Sequence, residues 1–162
     1  MTIDNRTAEQ PMRKEIAEFA ALLQQQGVHE ALGYLNQRTP HRYTGIYRFD
    51  GDMLRSEVLF DRNMPAVRQG ADAPMAATYC SLVGRHEAPV EILDAALDPQ
   101  ALGIDTPVIS YCGVLIRDGE GRAFGTLCHY DVQRCQERTS DQPLLAAAAQ
   151  LLYWQLHPDG KR

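Results

Sequence analysis

The chain has 162 residues and a formal net charge of −5 at pH 7, with 44% hydrophobic and 23% charged residues. This length predicts one domain, 1–162, and the balanced composition excludes a disordered or fibrous chain. Because the basic residues gather in no stripe, we expect neither nucleic acid nor an anionic membrane as a partner.

The sequence carries no signal for a membrane span or for export. No apolar run approaches the roughly 18 residues that a membrane-spanning helix needs. Residues 1–13 are polar and lack the apolar core of a signal peptide. We therefore expect a cytoplasmic protein whose four cysteines are reduced thiols. Without a C-x-x-C pair, a structural zinc site is not expected.

Two helices are predicted before the first strand. Apolar residues recur at spacings of three and four from Met12 to Leu23, which indicates an amphipathic helix within residues 1–27 that ends at Gly27. A second helix is predicted over residues 28–36, and Pro40 stops helical structure after it.

A hairpin and three shorter segments follow. The Asp50-Gly51 pair favours a tight turn between strands at 43–49 and 53–60, because glycine tolerates the positive φ of such a turn. Further along, a loop, a helix ended by Gly84 and a short strand are predicted at 61–74, 75–83 and 89–93.

The strongest segment is a second hairpin, with strands at 108–116 and 122–130. A three-residue loop with Gly121 in the left-handed conformation pairs Asp118 with Arg122. That register sets three pairs opposite each other: Cys112 and Cys128, Val114 and Thr126, and Tyr111 and His129. A four-residue loop would shift the pairing by one residue.

A final helix is predicted over 140–156, capped by Thr139 or Ser140, and the tail at 157–162 is expected to fray. Because tight turns join the strands, we expect a mainly antiparallel sheet. The terminal helices should cover one face of the sheet and the middle helices the other.

The second hairpin carries a family resemblance. Its sequence SYCGVLIRDGEGRAFGTLC, at 110–128, resembles the Y-x-G-V-P-L-R-D-x-x-G-x-x-x-G-T-L-C stretch of GAF domains. Upstream, Tyr79-Cys80 and VEILDA at 90–95, with Asp98-Pro99, are similar to the segments that precede that stretch. The resemblance covers about residues 28–156. It implies an α+β fold, GAF-like and PAS-like, with a central antiparallel sheet of about five to six strands, terminal helices on one face, and short helices with a pocket on the other.

Gly113 and Gly125 lie inside predicted strands, where glycine destabilises the sheet unless something packs closely against it. We expect a helix backbone to pack there, with close approach of a ligand as the alternative.

The resemblance implies a sensory or regulatory module rather than an enzyme. Such a module would bind a small ligand and signal through the packing of its terminal helices with a signalling partner or a second copy. A domain with a filled pocket, used only for docking or dimerisation, is the first alternative. The sequence lacks the N-K-x-D-E pattern of the family members that bind cyclic nucleotides. The segment 103–108 is too short for the insertion to which other members attach a bilin. Ligand and cofactor stay unidentified.

The second alternative is a thiol enzyme similar to the free methionine sulfoxide reductases of this family. Cys80 falls near one cysteine of those enzymes. Their catalytic cysteine, however, belongs in the loop before the fifth strand, where this chain has Ile104-Asp105-Thr106. Cys112 falls within the predicted strand instead, where burial raises the pKa of a thiol and makes it a poor nucleophile.

The candidate ligand-binding residues are side chains that this fold would place around its pocket. Cysteines there would equally serve to fill small apolar gaps, and a single histidine is more often structural. Cys135, in a polar loop, is expected to be an exposed thiol. No catalytic residue or metal ligand is assigned. The candidates are Tyr47, Arg68, Tyr79, Cys80, Tyr111, Cys112, Cys128 and His129.

Overall fold

The computed structural model describes residues 5–137 and 142–159, with side chains from residue 13 onwards. The predicted cap of the last helix, Thr139 or Ser140, and the end of the predicted frayed tail, 160–162, lie outside these residues. The helices are α1 (Asn5–Gln26), α2 (Val28–Asn36), α3 (Cys80–His86) and α4 (Gln142–Leu156). The strands are β1 (Tyr43–Asp50), β2 (Met53–Asp61), β3 (Ala73–Pro74), β4 (Val90–Ile92), β5 (Ser110–Arg117) and β6 (Ala123–Asp131).

The six strands form one antiparallel sheet in the order β3-β2-β1-β6-β5-β4, which separates two apolar cores. Helices α1, α2 and α4 pack on one face, named here the helix face. Helix α3 and the segment before it pack on the other, named the cavity face. The predicted α+β class and the two covered faces are confirmed.

The first two helices confirm the sequence prediction. They adjoin at Gly27, whose φ of 93° is a left-handed conformation that a side chain would disfavour. Helix α2 ends at Asn36, before Pro40. Both helices contribute apolar residues to the helix-face core.

The register of the second hairpin differs from the prediction by one residue. Its loop is as predicted: Gly121 has a φ of 83°, and the Asp118 N–H donates to the Arg122 carbonyl at 2.8 Å. A bulge between Ile116 and Arg117 then shifts the pairing. The three predicted pairs are therefore wrong, and the pairs are Cys112 with His129, Val114 with Leu127, and Tyr111 with Tyr130.

The middle segment also differs from the prediction. The predicted helix at 75–83 is a short 3-10 turn, Met75–Ala77, followed by α3. Thr78 separates them, because its extended backbone ends the turn while its hydroxyl accepts from the Ser81 N–H at 3.3 Å. Gly84 lies inside α3, where the ring of Phe49 occupies the space that its side chain would take. The predicted loop at 61–74 contains the short strand β3.

A partly buried ion pair joins Arg42, just before β1, to Asp61, the last residue of β2. The Asp61 carboxylate accepts hydrogen bonds from the Arg42 guanidinium at 2.8 and 3.0 Å. It also accepts one from the Asn63 N–H at 3.0 Å. The hydrogen bonds from Arg42 lower the pKa of Asp61 below its ordinary value, although burial acts in the opposite direction.

Because the pKa of Asp61 is lowered, we expect the protein to become less stable as the pH falls. The unfolded chain binds the Asp61 proton more readily than the folded chain does, so the pair stabilises the fold above about pH 4 and loses this effect as the pH falls further. In urea unfolding at pH 7 and pH 3, we expect Asp61→Asn to be less stable at pH 7 and to lose less on acidification. The exposed Asp52→Asn should behave as the wild type. An unchanged pH dependence in Asp61→Asn would contradict this assignment.

Candidate ligand site

A cavity of about 270 Å³ lies on the cavity face of the sheet. Strands β1, β5 and β6 form its floor, and the segments 71–80 and 106–108 surround it. None of the described residues that line it carries a charged side chain. These residues are Tyr47, Leu54, Ala71, Ala73, Ala77, Thr78, Tyr79, Cys80, Thr106, Pro107, Val108, Tyr111, Cys128 and Tyr130.

Two tyrosine hydroxyls meet at one end of the floor. Tyr47 and Tyr130 hydrogen-bond to each other, and the Tyr130 ring stacks on Tyr43 with 4.8 Å between centroids. Burial raises the pKa of both Tyr47 and Tyr130 well above the ordinary value, so both hydroxyls keep their protons at neutral pH. Their mutual bond uses only one of these two protons, which leaves the other for a ligand acceptor.

A second polar cluster surrounds the Cys80 thiol, at the start of α3. The Tyr111 hydroxyl donates to Cys80 Sγ at 3.2 Å, and Thr126 Oγ1 lies 3.1 Å from the same sulfur. The Cys128 side chain, on β6, is a neighbour of Cys80 that influences its pKa, and its own thiol donates to the Gly45 carbonyl at 3.8 Å. The cavity wall therefore holds two neighbouring cysteines, and two hydroxyls contact the sulfur of one of them.

This arrangement makes the two thiols unequal. Burial acts to raise the pKa of Cys80, but its polar neighbours Cys128, Thr126 and Tyr111 outweigh burial and lower that pKa below its ordinary value. Burial raises the pKa of Cys128, and the neighbouring Cys80 sulfur raises it further. The two hydroxyls bonded to the Cys80 sulfur make it the better placed of the two to carry a thiolate.

Two glycines make room for the tyrosines of the cavity floor. A Cβ on Gly113 would overlap with the Tyr111 hydroxyl, and one on Gly45 would lie 2.8 Å from Tyr47 Cε2. In each case the tyrosine lies two positions along the same strand, so its ring folds over the glycine on the same face. The predicted helix backbone over Gly113 is therefore wrong, as is the alternative of a ligand there.

Gly125 has a different neighbour. A Cβ at this position would overlap with the carbonyl oxygen of Tyr47 on the adjacent strand β1. The close approach predicted at Gly125 is real, but it comes from a strand backbone and not from a helix or a ligand.

The structure brings five of the eight predicted site residues to the cavity: Tyr47, Tyr79, Cys80, Tyr111 and Cys128. The Tyr79 hydroxyl donates to the Val108 carbonyl at 3.1 Å, which fastens the start of α3 to the segment before β5.

The other three predicted residues lie elsewhere. Cys112 belongs to the helix-face core. His129 is also on that face, with Nδ1 2.7 Å from Thr44 Oγ1 and its ring stacked on His41. Arg68 is exposed and does not line the cavity. Adjacent strand residues point to opposite faces, so Cys112 and His129 cannot share a wall with Tyr111 and Cys128.

The same alternation identifies site residues that the sequence reasoning missed. Tyr130 and Thr126 lie two positions from Cys128 on β6 and therefore share its face. The prediction that Cys135 is an exposed thiol is wrong. Only 8% of this residue is exposed, and its thiol donates to the Glu137 carbonyl at 3.3 Å.

The described residues offer neither a metal site nor a membrane span. No group of three histidine, cysteine or carboxylate side chains among them is placed to hold a metal ion. None of their helices combines the length and the apolar character of a membrane span.

Comparison with solved structures identifies the fold. The GAF domain of an Acinetobacter phosphoenolpyruvate-protein phosphotransferase is similar at a TM-score of 0.68 and 14% identity, over 90% of this chain and 92% of that one. A putative GAF sensor protein from Burkholderia vietnamiensis is similar at a TM-score of 0.66 and 14% identity, over 91% of this chain and 96% of that one. The chain therefore has the GAF fold, as its second hairpin predicts.

Proteins with this fold include enzymes. The free methionine-R-sulfoxide reductase of Neisseria meningitidis, solved with its substrate, is similar at a TM-score of 0.67 and 15% identity, over 96% of this chain and 92% of that one. No protein-family model and no curated protein matches the sequence.

Proposed function

We propose that the chain is a sensory or regulatory GAF-fold module whose cavity binds a small uncharged molecule. The observation that carries this proposal is the cavity of about 270 Å³, with its apolar, tyrosine-rich walls and a few hydroxyl and thiol groups. Such a combination is typical of small-molecule sites. A charged ligand would lose its hydration there without gaining a counter-charge from the described lining residues.

The proposed signal passes through the sheet to the terminal helices. Tyr111, Cys128 and Tyr130 line the cavity, whereas Cys112 and Leu127, which alternate with them, pack in the helix-face core. A ligand that moves the floor of the cavity therefore moves residues that support α1 and α4. Binding would in this way alter the surface that these two helices present.

The proposed partner is a second copy or a signalling protein that docks on these helices. Helix α4 contains no charged residue, and Trp154 on it is 45% exposed. Its exposed side therefore offers an uncharged surface with a tryptophan for a partner to cover. The proposed location is the cytoplasm, which the four free cysteines support.

A thermal-shift assay with neutral aromatic probes tests the ligand proposal. Indole, which has no charge and one N–H donor, should raise the melting temperature, because a ligand that binds only the folded state stabilises it. Indole-2-carboxylate, its charged analogue, should have no effect. A larger shift with the carboxylate would contradict the proposal. No shift with indole or with any member of a neutral fragment set would favour the docking domain without a ligand.

A matched pair of variants locates the binding. Ala77 lines the cavity, whereas its neighbour Ala76 is exposed and does not. Ala77→Phe places a ring in the cavity and should abolish the indole shift, while Ala76→Phe should retain it. Equal shifts in the two variants would place the indole elsewhere on the protein.

A reductase of free methionine sulfoxide is the second candidate, favoured by the lowered pKa of Cys80 in the cavity wall and by the similarity to the Neisseria enzyme. Two features favour it less. The segment 102–109 before β5 contains no cysteine, and the zwitterionic substrate would meet no charged side chain among the described lining residues. Thiol-dependent turnover of free methionine sulfoxide that is lost in Cys80→Ser would establish it, and its absence in the wild type would exclude it.

A further inference from the structure

We propose that Cys80 and Cys128 form a dithiol site that a hydroperoxide oxidises to an intramolecular disulfide. The inference goes beyond ligand binding, because it requires only that a peroxide-sized molecule reach the wall of the cavity. It rests on the position of both cysteines in the lining of one cavity, on the two hydroxyls around Cys80, and on Thr126, which bonds to Cys80 and lies two positions from Cys128 on the same face of β6.

The positions of the four cysteines single out this pair. Cys80 and Cys128 line the cavity. Cys112 lies on the opposite face of the sheet, in the helix-face core. Cys135 lies beyond β6, with its thiol bonded to the Glu137 carbonyl. The chain therefore provides two cysteines at the proposed site and two internal controls.

The first chemical step takes place at Cys80. Its sulfur, as the thiolate, attacks one oxygen of the hydroperoxide, the O–O bond breaks, and the leaving oxygen takes the proton that Cys80 released. The products are a sulfenic acid at Cys80 and one molecule of water, or an alcohol from an organic hydroperoxide. Tyr111 and Thr126 assist as positioning residues, because hydroxyl hydrogen bonds to sulfur favour the thiolate.

The second step takes place at Cys128. Its sulfur attacks the Cys80 sulfur, the S–O bond breaks, and the departing hydroxide leaves as water with the proton of the Cys128 thiol. In total the two thiols lose two electrons and two protons, and the peroxide oxygen atoms gain them. Because both cysteines line the same cavity, this step requires a movement of the first turn of α3 towards β6 that brings the two sulfurs to bonding distance.

Peptide mapping of the reduced wild-type chain after treatment with hydrogen peroxide tests the proposal. Trypsin places the four cysteines in four different peptides, 69–85, 86–117, 123–134 and 135–138. We expect 69–85 to become linked to 123–134 within one chain, while the other two peptides keep alkylatable thiols. No loss of thiols, a link that involves Cys112 or Cys135, or oxidation of Cys80 to sulfinic acid without a link would overturn the proposal.

Two variants check the order of the steps. In Cys128→Ser the sulfenic acid on Cys80 should be trapped by dimedone, and no link should form. In Cys112→Ala the link between 69–85 and 123–134 should form as in the wild type. A dimedone adduct on Cys112 or Cys135 of Cys128→Ser, with none on Cys80, would contradict the assigned order.

The role of Tyr111 has its own readout. Tyr111→Phe keeps the ring over Gly113 but removes the hydrogen bond to Cys80. Formation of the link should slow by about tenfold at neutral pH, as expected for a lost hydrogen bond to a charged group. The pH at which the rate reaches half its maximum should rise, because the thiolate is less stabilised. An unchanged pH profile would assign Tyr111 a purely structural role.

Discussion

Gly125→Ala is expected to destabilise the protein by about 3 kcal/mol or more, a large part of the roughly 5–15 kcal/mol that stabilises a typical domain. The added methyl group would overlap with the Tyr47 carbonyl oxygen on β1, and a backbone atom cannot rotate away as a side chain can. Strands β1 and β6 would have to separate at the centre of the sheet. Urea unfolding, or the yield of soluble protein, measures the effect.

Gly103→Ala is the matched control for this substitution. Gly103 has a φ of 83°, and no atom lies within 4 Å of the position that its Cβ would occupy. Its replacement therefore costs only the strain of a left-handed alanine, about 1 to 2 kcal/mol. If Gly125→Ala were no more destabilising than Gly103→Ala, the close packing of β1 against β6 would be wrong.

Gly113→Ala is expected to lower the free energy of unfolding by about 2 to 3 kcal/mol. A second substitution, at Tyr111, should remove most of this loss. The new methyl group would overlap with the Tyr111 hydroxyl and ring, which must then leave the cavity floor. In a Tyr111→Leu background the shorter side chain no longer reaches Gly113, so the same substitution should cost about 1 kcal/mol or less. The difference between the two costs is the coupling energy of a double-mutant cycle, measured by urea unfolding.

Equal costs in the two backgrounds would contradict this explanation. Such a result would mean that something other than Tyr111 occupies the space above Gly113. The packing of the cavity floor, and with it the hydrogen bond from Tyr111 to Cys80, would then need revision.

The fold was accessible from the sequence because its signals are local. Periodic apolar residues marked the first helices, Asp50-Gly51 and Gly121 marked the two hairpin turns, and both glycines have positive φ. The second hairpin also carried the motif that indicated the GAF fold. The prediction that helices cover both faces of the sheet followed from the order of these elements and from the tight turns between the strands.

The register could not be predicted in the same way. The loop at Gly121 was correct, but the bulge between Ile116 and Arg117 leaves no local sequence signal, and it moved every pair beyond it. The close packing against Gly113 was equally hidden. It depends on the ring of Tyr111, in the same strand, folding back over the glycine. Predicting that conformation requires knowing what packs above the sheet.

The sequence led to five of the residues that line the cavity. Strand alternation alone would have excluded Cys112 and His129 once Tyr111 and Cys128 were chosen, and would have added Tyr130. The hydrogen bond between Cys80 and Thr126 could not be predicted, because it joins the start of a helix to a strand that is distant in sequence. Whether Arg68 reaches the cavity depended on the path of its loop, which the sequence does not determine.

A crystal structure of the protein grown with indole tests the central claim most directly. We expect one indole on the cavity face, between the tyrosines of β1, β5 and β6 and the segment 71–80. Its N–H or ring should contact the Tyr47 and Tyr130 hydroxyls. An empty cavity with indole bound at another surface, or a cavity closed by its own side chains, would contradict the account.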